Sequence, residues 1–377
     1  MKKQAQNCCE NAQRLGRVGG QAVIEGVMMK AGDRTVTTCR KEDGSLAIYD
    51  DSFTSVRKKH KILNLPIIRG VVNFVEMMAL SFKTLEASAD AMGIEEEDGK
   101  VERWLKKHLG VGIVDIIMVV AMILGVALAL GLFMFLPNFT AELINRLVVY
   151  LGGPDLGVWQ AAVAGVMKVA IFVAYLSLVA LMPDIKRTFM YHGAEHKTIA
   201  CFEAGDELTP ENAMKHKRFH PRCGTSFMFF MILLGIVFGI IVRSIWPGQP
   251  AWIYALISLG TLPIVVGVGY EFIMFAGKHD NIITRVLSAP GLWVQRITTK
   301  EPTADMLEVA IISTKCALRD SYPEFREFYE SRAWEAASKT EAMAEAEMQS
   351  TESVGGDIPV EQSTENECCE SAEEAKI

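Results

Sequence analysis

Residues 227–276 read FMFFMILLGIVFGIIVRSIWPGQPAWIYALISLGTLPIVVGVGYEFIMFA, and this stretch determines the class of the fold. It contains two apolar runs, at about 227–246 and 251–276, separated by Pro247–Pro250. A helix of about 20 apolar residues is long enough to cross the hydrocarbon core of a bilayer. Two further runs of this kind lie earlier, at about 112–136 and 158–182. The sequence therefore predicts an α-helical polytopic membrane protein with four transmembrane helices.

The charges between these runs predict how the chain is oriented. The loop 183–226 carries seven basic residues, whereas the connection 137–157 carries only Arg146 and the connection 247–250 carries none. Loops rich in Lys and Arg stay on the cytosolic side of a membrane. We therefore expect a multi-pass protein of the cytoplasmic membrane, in contact with the lipid bilayer, with loop 183–226 and both termini in the cytosol.

The rest of the chain divides by composition. A β unit is predicted from Gly19 to about Phe53, because β-branched residues and the hairpin signal Asp43-Gly44 occur there. The stretch 62–92 has helical periodicity but basic residues on both flanks, which favours an interfacial or core-packed helix over a fifth span. The expected organisation is a disordered leader (1–16), a cytosolic β/α part (17–107), the four-span domain (108–277), a cytosolic helical segment (278–334) with an amphipathic helix at 301–334, and an acidic disordered tail (335–377).

Composition also excludes some partners and frameworks. The chain has a net charge of -7 and no basic patch interleaved with aromatic residues, so we expect no nucleic-acid partner. Its eight cysteines do not form a disulfide framework, because two vicinal pairs lie in polar tails and the rest are scattered. Cytosolic thiols are expected to be reduced.

The segment Tyr191–Lys197, YHGAEHK, carries the strongest signal for chemistry. His192 and His196 are four residues apart, so on a helix they share one face. Further along the same loop, His220 and Cys223 add two more side chains that can bind a metal. Imidazole and thiolate favour Zn²⁺ or another divalent transition metal. The order His-x-x-Glu-His is that of inverzincin metallopeptidases, which makes Glu195 the candidate general base.

The motif leaves several alternatives open. Four protein ligands would give a closed structural site, whereas three would leave a position for water. Glu203 is a second candidate base, but on a straight helix it lies about 10 Å along the axis from His196. Gly193 either permits close approach of another segment or marks the start of the helix. The histidines can also simply form hydrogen bonds and pack at the membrane surface.

Charged residues in apolar surroundings supply further candidates. Glu25 lies in an apolar run, so it either reaches the loop site or forms a salt bridge, with Arg69 as the suggested partner. Asp115, Lys168 and Glu271 fall within the predicted spans, where charges are costly and often functional. Lys168 is the deepest of the three, and we expect it to pair with a carboxylate, line a polar cavity or extend to the interface.

Three groups of motifs resemble one known family. They are Gly19–Met29 (GGQAVIEGVMM), the central pair Tyr191–Lys197 and His220–Ser226 (HPRCGTS), and a C-terminal block with Ala289–Trp293, Gln295–Thr299 and Leu307–Ile311. Together they resemble the YqhQ-like family of bacterial membrane proteins, a domain of unknown function, over roughly residues 17–318. The resemblance implies a metal-dependent enzyme but brings no substrate or reaction.

These observations lead to three functional hypotheses. The first is a metal-dependent hydrolase that acts on a membrane-associated substrate. The second is a non-enzymatic membrane scaffold or assembly factor, with a membrane-protein partner and a structural metal. The third is a transporter built around Lys168 and Glu271, which four spans permit only in a homo-oligomer.

Overall fold

The computed structural model describes Arg14 and residues 16–92, 113–220, 223–276 and 282–318. Most of the predicted leader, the vicinal cysteine pairs, the charged segment 93–112 and the acidic tail lie outside these residues. The strands are β1 (Val18–Val23), β2 (Gly26–Ala31), β3 (Arg34–Arg40) and β4 (Leu46–Ser52). The helices are α1 (Ile68–Ala91), α2 (Ile113–Leu130), α3 (Leu136–Tyr150), α4 (Trp159–Val179), α5 (Pro183–Ala204), α6 (Pro210–Lys215), α7 (Gly224–Ile245), α8 (Ala251–Ala276), α9 (Ile282–Thr298) and α10 (Ala304–Ala317).

The predicted β unit is confirmed as an antiparallel sheet with strand order β1-β2-β3-β4. Each strand pairs with the next, in the register Gly20↔Met29 for the first pair and Met28↔Thr37 for the second. One face packs against α1 in a core that includes Val23, Met28, Cys39 and Leu80. The other face lies on α10, where the Ser313 hydroxyl donates a hydrogen bond to the Val36 carbonyl at 2.7 Å. Burial on both faces explains why β2 is apolar without alternation.

Helix α10 differs from the expected amphipathic helix at 301–334. The described part ends at Ala317, and almost every residue from Met306 onward is buried. The reason is tertiary: α10 is enclosed between the sheet and α5, so its polar Ser313 and Thr314 hydroxyls form hydrogen bonds with backbone carbonyls in place of water. Thr303 caps its first turn by accepting a hydrogen bond from the Met306 N–H.

Helix α1 begins at Ile68, after a short 3-10 turn at Lys61–Asn64. Its first turn contacts α8 closely, since a Cβ on Gly70 would lie 3.0 Å from the Gly267 Cα atom. Farther along, one face joins the core under the sheet, while Val75 and Phe82 leave 60% and 59% of their surface exposed. The core packing confirms the core-packed alternative for this segment, and the interfacial position stays a prediction.

Among the residues that the structure describes, four helical segments are long and apolar enough to cross a membrane: Ile123–Tyr150, Trp159–Val179, Phe227–Ile245 and Ala251–Phe275. The last three agree with the predicted runs to within a few residues. Small residues allow two of them to pack closely: a Cβ on Gly165 would lie 2.4 Å from an Ile236 side-chain carbon.

The first span differs from its prediction at 112–136. The helical path continues through a π turn at Gly131–Phe135 into α3, which ends at Tyr150. Polar residues from Asn138 onward end the apolar run in the sequence. In the structure these polar side chains form hydrogen bonds within the helix. Asn138 Nδ2 donates to the Met134 carbonyl at 2.7 Å, and the Thr140 hydroxyl donates to the Leu136 carbonyl at 2.8 Å.

Candidate metal centre

Helix α5 carries the whole of the Tyr191–Lys197 motif. It begins with Pro183 in its first turn, where the missing N–H costs nothing, and it ends before Gly205, which adopts a left-handed φ of 84°. The motif lies in the middle of this helix, so His192 and His196 are one turn apart on the same face, as predicted. The two imidazole rings are in edge-to-face contact with centroids 4.4 Å apart.

Gly193 is explained by the close approach of another segment. A Cβ at this position would lie 2.0 Å from the Lys300 carbonyl oxygen, and the Lys300 N–H donates to the Phe189 carbonyl at 2.8 Å. The connection between α9 and α10 therefore lies directly on α5. The alternative, in which Gly193 marks a helix start, is wrong because α5 begins ten residues earlier.

Both histidines are oriented by backbone carbonyls. His192 Nδ1 lies 2.9 Å from the Thr298 carbonyl oxygen, and His196 Nδ1 lies 2.5 Å from the Arg218 carbonyl oxygen. A carbonyl oxygen only accepts hydrogen bonds, so each Nδ1 must carry the proton. In the neutral imidazole each Nε2 then carries a lone pair, and the carbonyl contact fixes both the tautomer and the ring orientation.

Cys223 completes a three-residue cluster with these two histidines. Its Sγ atom lies 3.3 Å from His192 Nε2, and one candidate ligand atom from each of the three residues lies within 4.8 Å of the others. Bonds of about 2.0–2.3 Å to a tetrahedral ion separate the ligand atoms by roughly 3.3–3.8 Å. Modest side-chain shifts are therefore sufficient for His192, His196 and Cys223 (the His/His/Cys cluster) to hold one ion. We note that the donor set is one that Zn²⁺ favours.

Glu195 lies beside this cluster and is almost completely buried. One carboxylate oxygen lies 4.0 Å from His192 Nε2. Burial raises the pKa of Glu195, and the imidazoles of His192 and His220 and the N–H of Gly20 offset only part of this effect. Gly20 is required here, because a Cβ on it would lie 2.9 Å from Glu195 Cγ. Strand β1 thus forms one wall of the site, which links the first motif group to the central one.

His220 lies next to the cluster but outside it. Its ring centroid is 5.7 Å from that of His196, and its Nε2 faces Glu203 at 3.5 Å. Glu203 is on the same unbroken helix as His196, and Gly16 N–H donates to its other oxygen at 2.9 Å. The structure therefore pairs these two candidates with each other, one layer away from the cluster.

Gln295 positions the backbone of His220, and sequence reasoning gave it no role. Its fully buried amide accepts from the His220 N–H at 2.8 Å and donates to the His220 carbonyl at 2.7 Å. The one sequence feature that could have indicated this role is an uncharged polar residue within an amphipathic helix. Its partner lies 75 residues away in the sequence, so the local pattern does not identify it.

Lys197, the last residue of the motif, was also given no role by the sequence. Its buried ammonium donates to the carbonyls of Met214 and His216, both at 2.9 Å, and pairs with Glu301 at 3.1 Å. Glu301 also binds Arg218, whose carbonyl holds His196. These bonds connect α5, the segment after α6 and the start of the α10 connection.

The predicted salt bridge between Glu25 and Arg69 is wrong. Glu25 lies in the turn between β1 and β2, with φ 49°, and both of its oxygens bind Arg187 of α5, one of them at 2.6 Å from Nη2. Arg69 pairs instead with Glu271, through Nε at 2.6 Å. Both pairs join elements that are distant in sequence, which no local pattern reveals. Neither Glu25 nor Glu271 reaches the cluster.

Two predicted residues within the spans remain. Lys168 lines a cavity among the candidate spans, described below. The side chain of Asp115 lies outside the described residues.

Within the described residues, the fold and the site together define a class: a mostly helical protein with four candidate membrane-spanning helices, a small N-terminal sheet and a partly buried His/His/Cys cluster beside a buried carboxylate. The family described as "Protein of unknown function (DUF1385)" matches residues 65–320, and the chain belongs to this family. The chain is 34% identical over 307 residues to "Uncharacterized protein YqhQ" of Bacillus subtilis (strain 168), which covers 80% of this chain and 92% of that protein. No solved structure matches significantly.

Proposed function

We propose that this protein is a metal-dependent hydrolase of the cytoplasmic membrane, with the metal held by His192, His196 and Cys223. The supporting observation is the pair of Nδ1–H bonds to the Thr298 and Arg218 carbonyls. They leave both Nε2 lone pairs beside the Cys223 thiol, which is the arrangement that hydrogen bonds from Nδ1 to backbone carbonyls give to metal-ligating histidines. Three protein ligands are typical of catalytic zinc sites.

The chain's own residues suit the proton transfers of hydrolysis. A bound divalent metal supplies Lewis-acid activation of water. Glu195 is the base that accepts the proton, because its carboxylate faces His192 Nε2 at 4.0 Å and its pKa is raised by burial. A carboxylate with a raised pKa also returns that proton more readily to a leaving group.

We further propose that the site faces the cytosol at the membrane surface. The support is the basic charge of segment 183–226 and the apolar residues that α1 leaves exposed, among them Val75 and Phe82. An apolar face of this kind fits the boundary between headgroups and acyl chains. The substrate class that follows is membrane-associated, peptide or lipid.

Metal content tests the ligand assignment. Detergent-purified protein, prepared with added Zn²⁺, is expected to carry about one ion per chain, and His196→Ala to carry none. His216→Ala is the matched control, because His216 lies in the same segment and bonds to Asp206. With Co²⁺ in place of Zn²⁺, a thiolate charge-transfer band is expected that Cys223→Ser removes. Wild-type protein with no stoichiometric metal would overturn the proposal.

An exogenous anion such as azide tests whether the site is catalytic. In a three-ligand site, azide is expected to change the visible Co²⁺ spectrum, because one coordination position is open. Glu195→Gln is expected to keep the metal and to lose hydrolytic activity, because an amide cannot accept the proton.

A structural metal in a scaffold or assembly factor is the second candidate. It is favoured by the position of His220, whose ring is 5.7 Å from that of His196 and which could supply a fourth ligand. A Co²⁺ spectrum insensitive to azide, together with loss of metal in His220→Ala, would favour this candidate. The transporter hypothesis stays a prediction.

A further inference from the structure

A cavity of about 180 Å³ lies among the four candidate spans. Its lining is mainly apolar, and its polar part comes from Asn138, Lys168, Arg243, Tyr254, Ser258 and Thr261. Its lining on α4 ends at Lys168, 11 residues before the end of that helix, which corresponds to about 16 Å. On α7, Arg243 lies 20 residues beyond Cys223, which corresponds to about 30 Å along the helix axis, so the arginine end of the cavity is distant from the His/His/Cys cluster and the cavity is a separate site.

Arg243 is buried, and its hydrogen-bond and ring partners within the described residues are all neutral. Its Nη1 donates to Gln160 Oε1 at 3.1 Å, its Nη2 donates to Asn138 Oδ1 at 3.2 Å, and its guanidinium lies 3.8 Å from the Tyr254 ring centroid. These contacts fix the guanidinium without neutralising its charge.

The carboxylate that acts electrostatically on Arg243 is Glu142, and it already has other partners. Glu142 pairs with Arg146 and accepts a hydrogen bond from the Ala251 N–H at 2.9 Å. It does not line the cavity.

Lys168 is the second cation of the cavity. Within the described residues, its ammonium has no hydrogen bond or ion pair, and the cavity lining includes no carboxylate. An uncompensated cation in an apolar environment is costly. A second cation in the same small cavity raises this free-energy cost further. An anion bound by both cations would compensate their charges and lower the cost.

We propose that this cavity binds a phosphate group, with Lys168 and Arg243 as its charged donors. The volume is smaller than that of a typical small-molecule pocket, so it suits a headgroup-sized anion rather than a whole substrate. Arginine and lysine together are the usual donors for phosphate. The phosphate can belong to an anionic lipid headgroup or be free inorganic phosphate, and the experiment separates these sources.

Thermal unfolding in neutral detergent tests the site with three probes: phosphatidylglycerol, phosphatidylcholine and inorganic phosphate. Phosphatidylglycerol or inorganic phosphate is expected to stabilise the wild type, and phosphatidylcholine to have a smaller effect. Stabilisation by phosphatidylglycerol alone identifies a lipid, and stabilisation by inorganic phosphate alone identifies the free ion.

Two substitutions of Lys168 and one matched control complete the test. Lys168→Met is expected to weaken the affinity about tenfold or more, the effect of one charge-assisted hydrogen bond, while Lys168→Arg retains binding. Lys186→Met is the control, because Lys186 is exposed at the start of α5. Without any anion, Lys168→Met should unfold at a higher temperature than the wild type, and its metal content should not change. Equal stabilisation of wild type and Lys168→Met by every probe, or no stabilisation of the wild type, would overturn the proposal.

Discussion

At the scale of single residues, the site depends on two glycines that leave room for neighbouring groups and on one glutamine that binds a backbone segment. A Cβ on Gly193 would lie 2.0 Å from the Lys300 carbonyl oxygen, and a Cβ on Gly20 would lie 2.9 Å from Cγ of the Glu195 side chain. Gln295 holds the His220 backbone with two hydrogen bonds. These residues touch no proposed metal position directly, yet they determine where the ligands lie.

Gly193→Ala is expected to destabilise the fold by about 1–3 kcal/mol or more, because the added methyl group overlaps the Lys300 carbonyl. Thermal unfolding of the purified protein measures the loss. Gly260→Ala is the control, since a Cβ on Gly260, which is also within a helix, meets no atom within 4 Å. Equal unfolding temperatures for the two variants would contradict the close contact at Gly193.

Glu195→Gln is expected to change how the metal-free protein responds to pH. Burial raises the folded-state pKa of Glu195 above its unfolded value, so the neutral carboxyl is favoured in the fold. Its contribution to stability is complete below about pH 4.3, the ordinary pKa of glutamate, and is lost as pH rises through the folded pKa.

The metal-free wild type should therefore lose stability relative to Glu195→Gln as pH rises above about 4.3, the ordinary pKa of glutamate. Unfolding temperatures of both proteins, stripped of metal, measured from pH 5 to pH 8, give the difference. A difference in unfolding temperature that does not vary with pH would contradict a raised pKa of Glu195 in the folded protein.

At the scale of elements, ion pairs join parts of the chain that the sequence keeps far apart. Glu25 and Arg187 connect the β1–β2 turn with α5, and Arg69 and Glu271 connect α1 with α8. These contacts, with the glycine contacts at Gly70 and Gly193, fix how the sheet and its helices meet the candidate spans.

A double-mutant cycle distinguishes the observed ion pairs from the one that the sequence suggested. Glu25→Ala and Arg187→Ala are expected to couple by about 0.2–1 kcal/mol, the range for partly exposed pairs. Glu25→Ala and Arg69→Ala should be additive, since they do not touch. Unfolding free energies in a mild denaturant measure both cycles, and coupling of Glu25 to Arg69 alone would reject the observed pairing.

At the scale of the whole molecule, the proposed orientation follows from the segments between the spans. The connection between α3 and α4 is short and carries few charges, whereas the segment with α5 and α6 is basic. Under the positive-inside rule, we therefore expect the proposed metal centre on the cytosolic side and the proposed phosphate cavity toward the other side.

Reporter fusions at Gly152 or Asp155 are expected to report the exterior, and fusions at Thr209 or after Lys300 the cytosol. The choice of Gly152 and Asp155 follows from the end of α3 at Tyr150. Alkaline phosphatase and a cytosol-active fluorescent protein form a complementary pair of reporters. A cytosolic signal at Asp155 would invalidate the orientation and the location of the metal centre.

The sequence by itself determined the features that depend on local periodicity and composition. Three of the four apolar segments, the β3–β4 hairpin at Asp43-Gly44 and the helical face shared by His192 and His196 all follow from spacing along a few turns or strands. Hydrophobic length and side-chain periodicity are properties of neighbouring residues, so no tertiary information is needed.

Only the tertiary structure decided which distant groups meet. In the structure Cys223 lies beside His192, His220 faces Glu203, and Glu25 pairs with Arg187. The first candidate span continues through Asn138 to Tyr150. In each case a polar group was satisfied by a partner far away in the chain, or by a helix geometry that composition alone did not favour. Such pairings depend on the packing of whole elements, because the energy of a buried polar group is set by its three-dimensional surroundings.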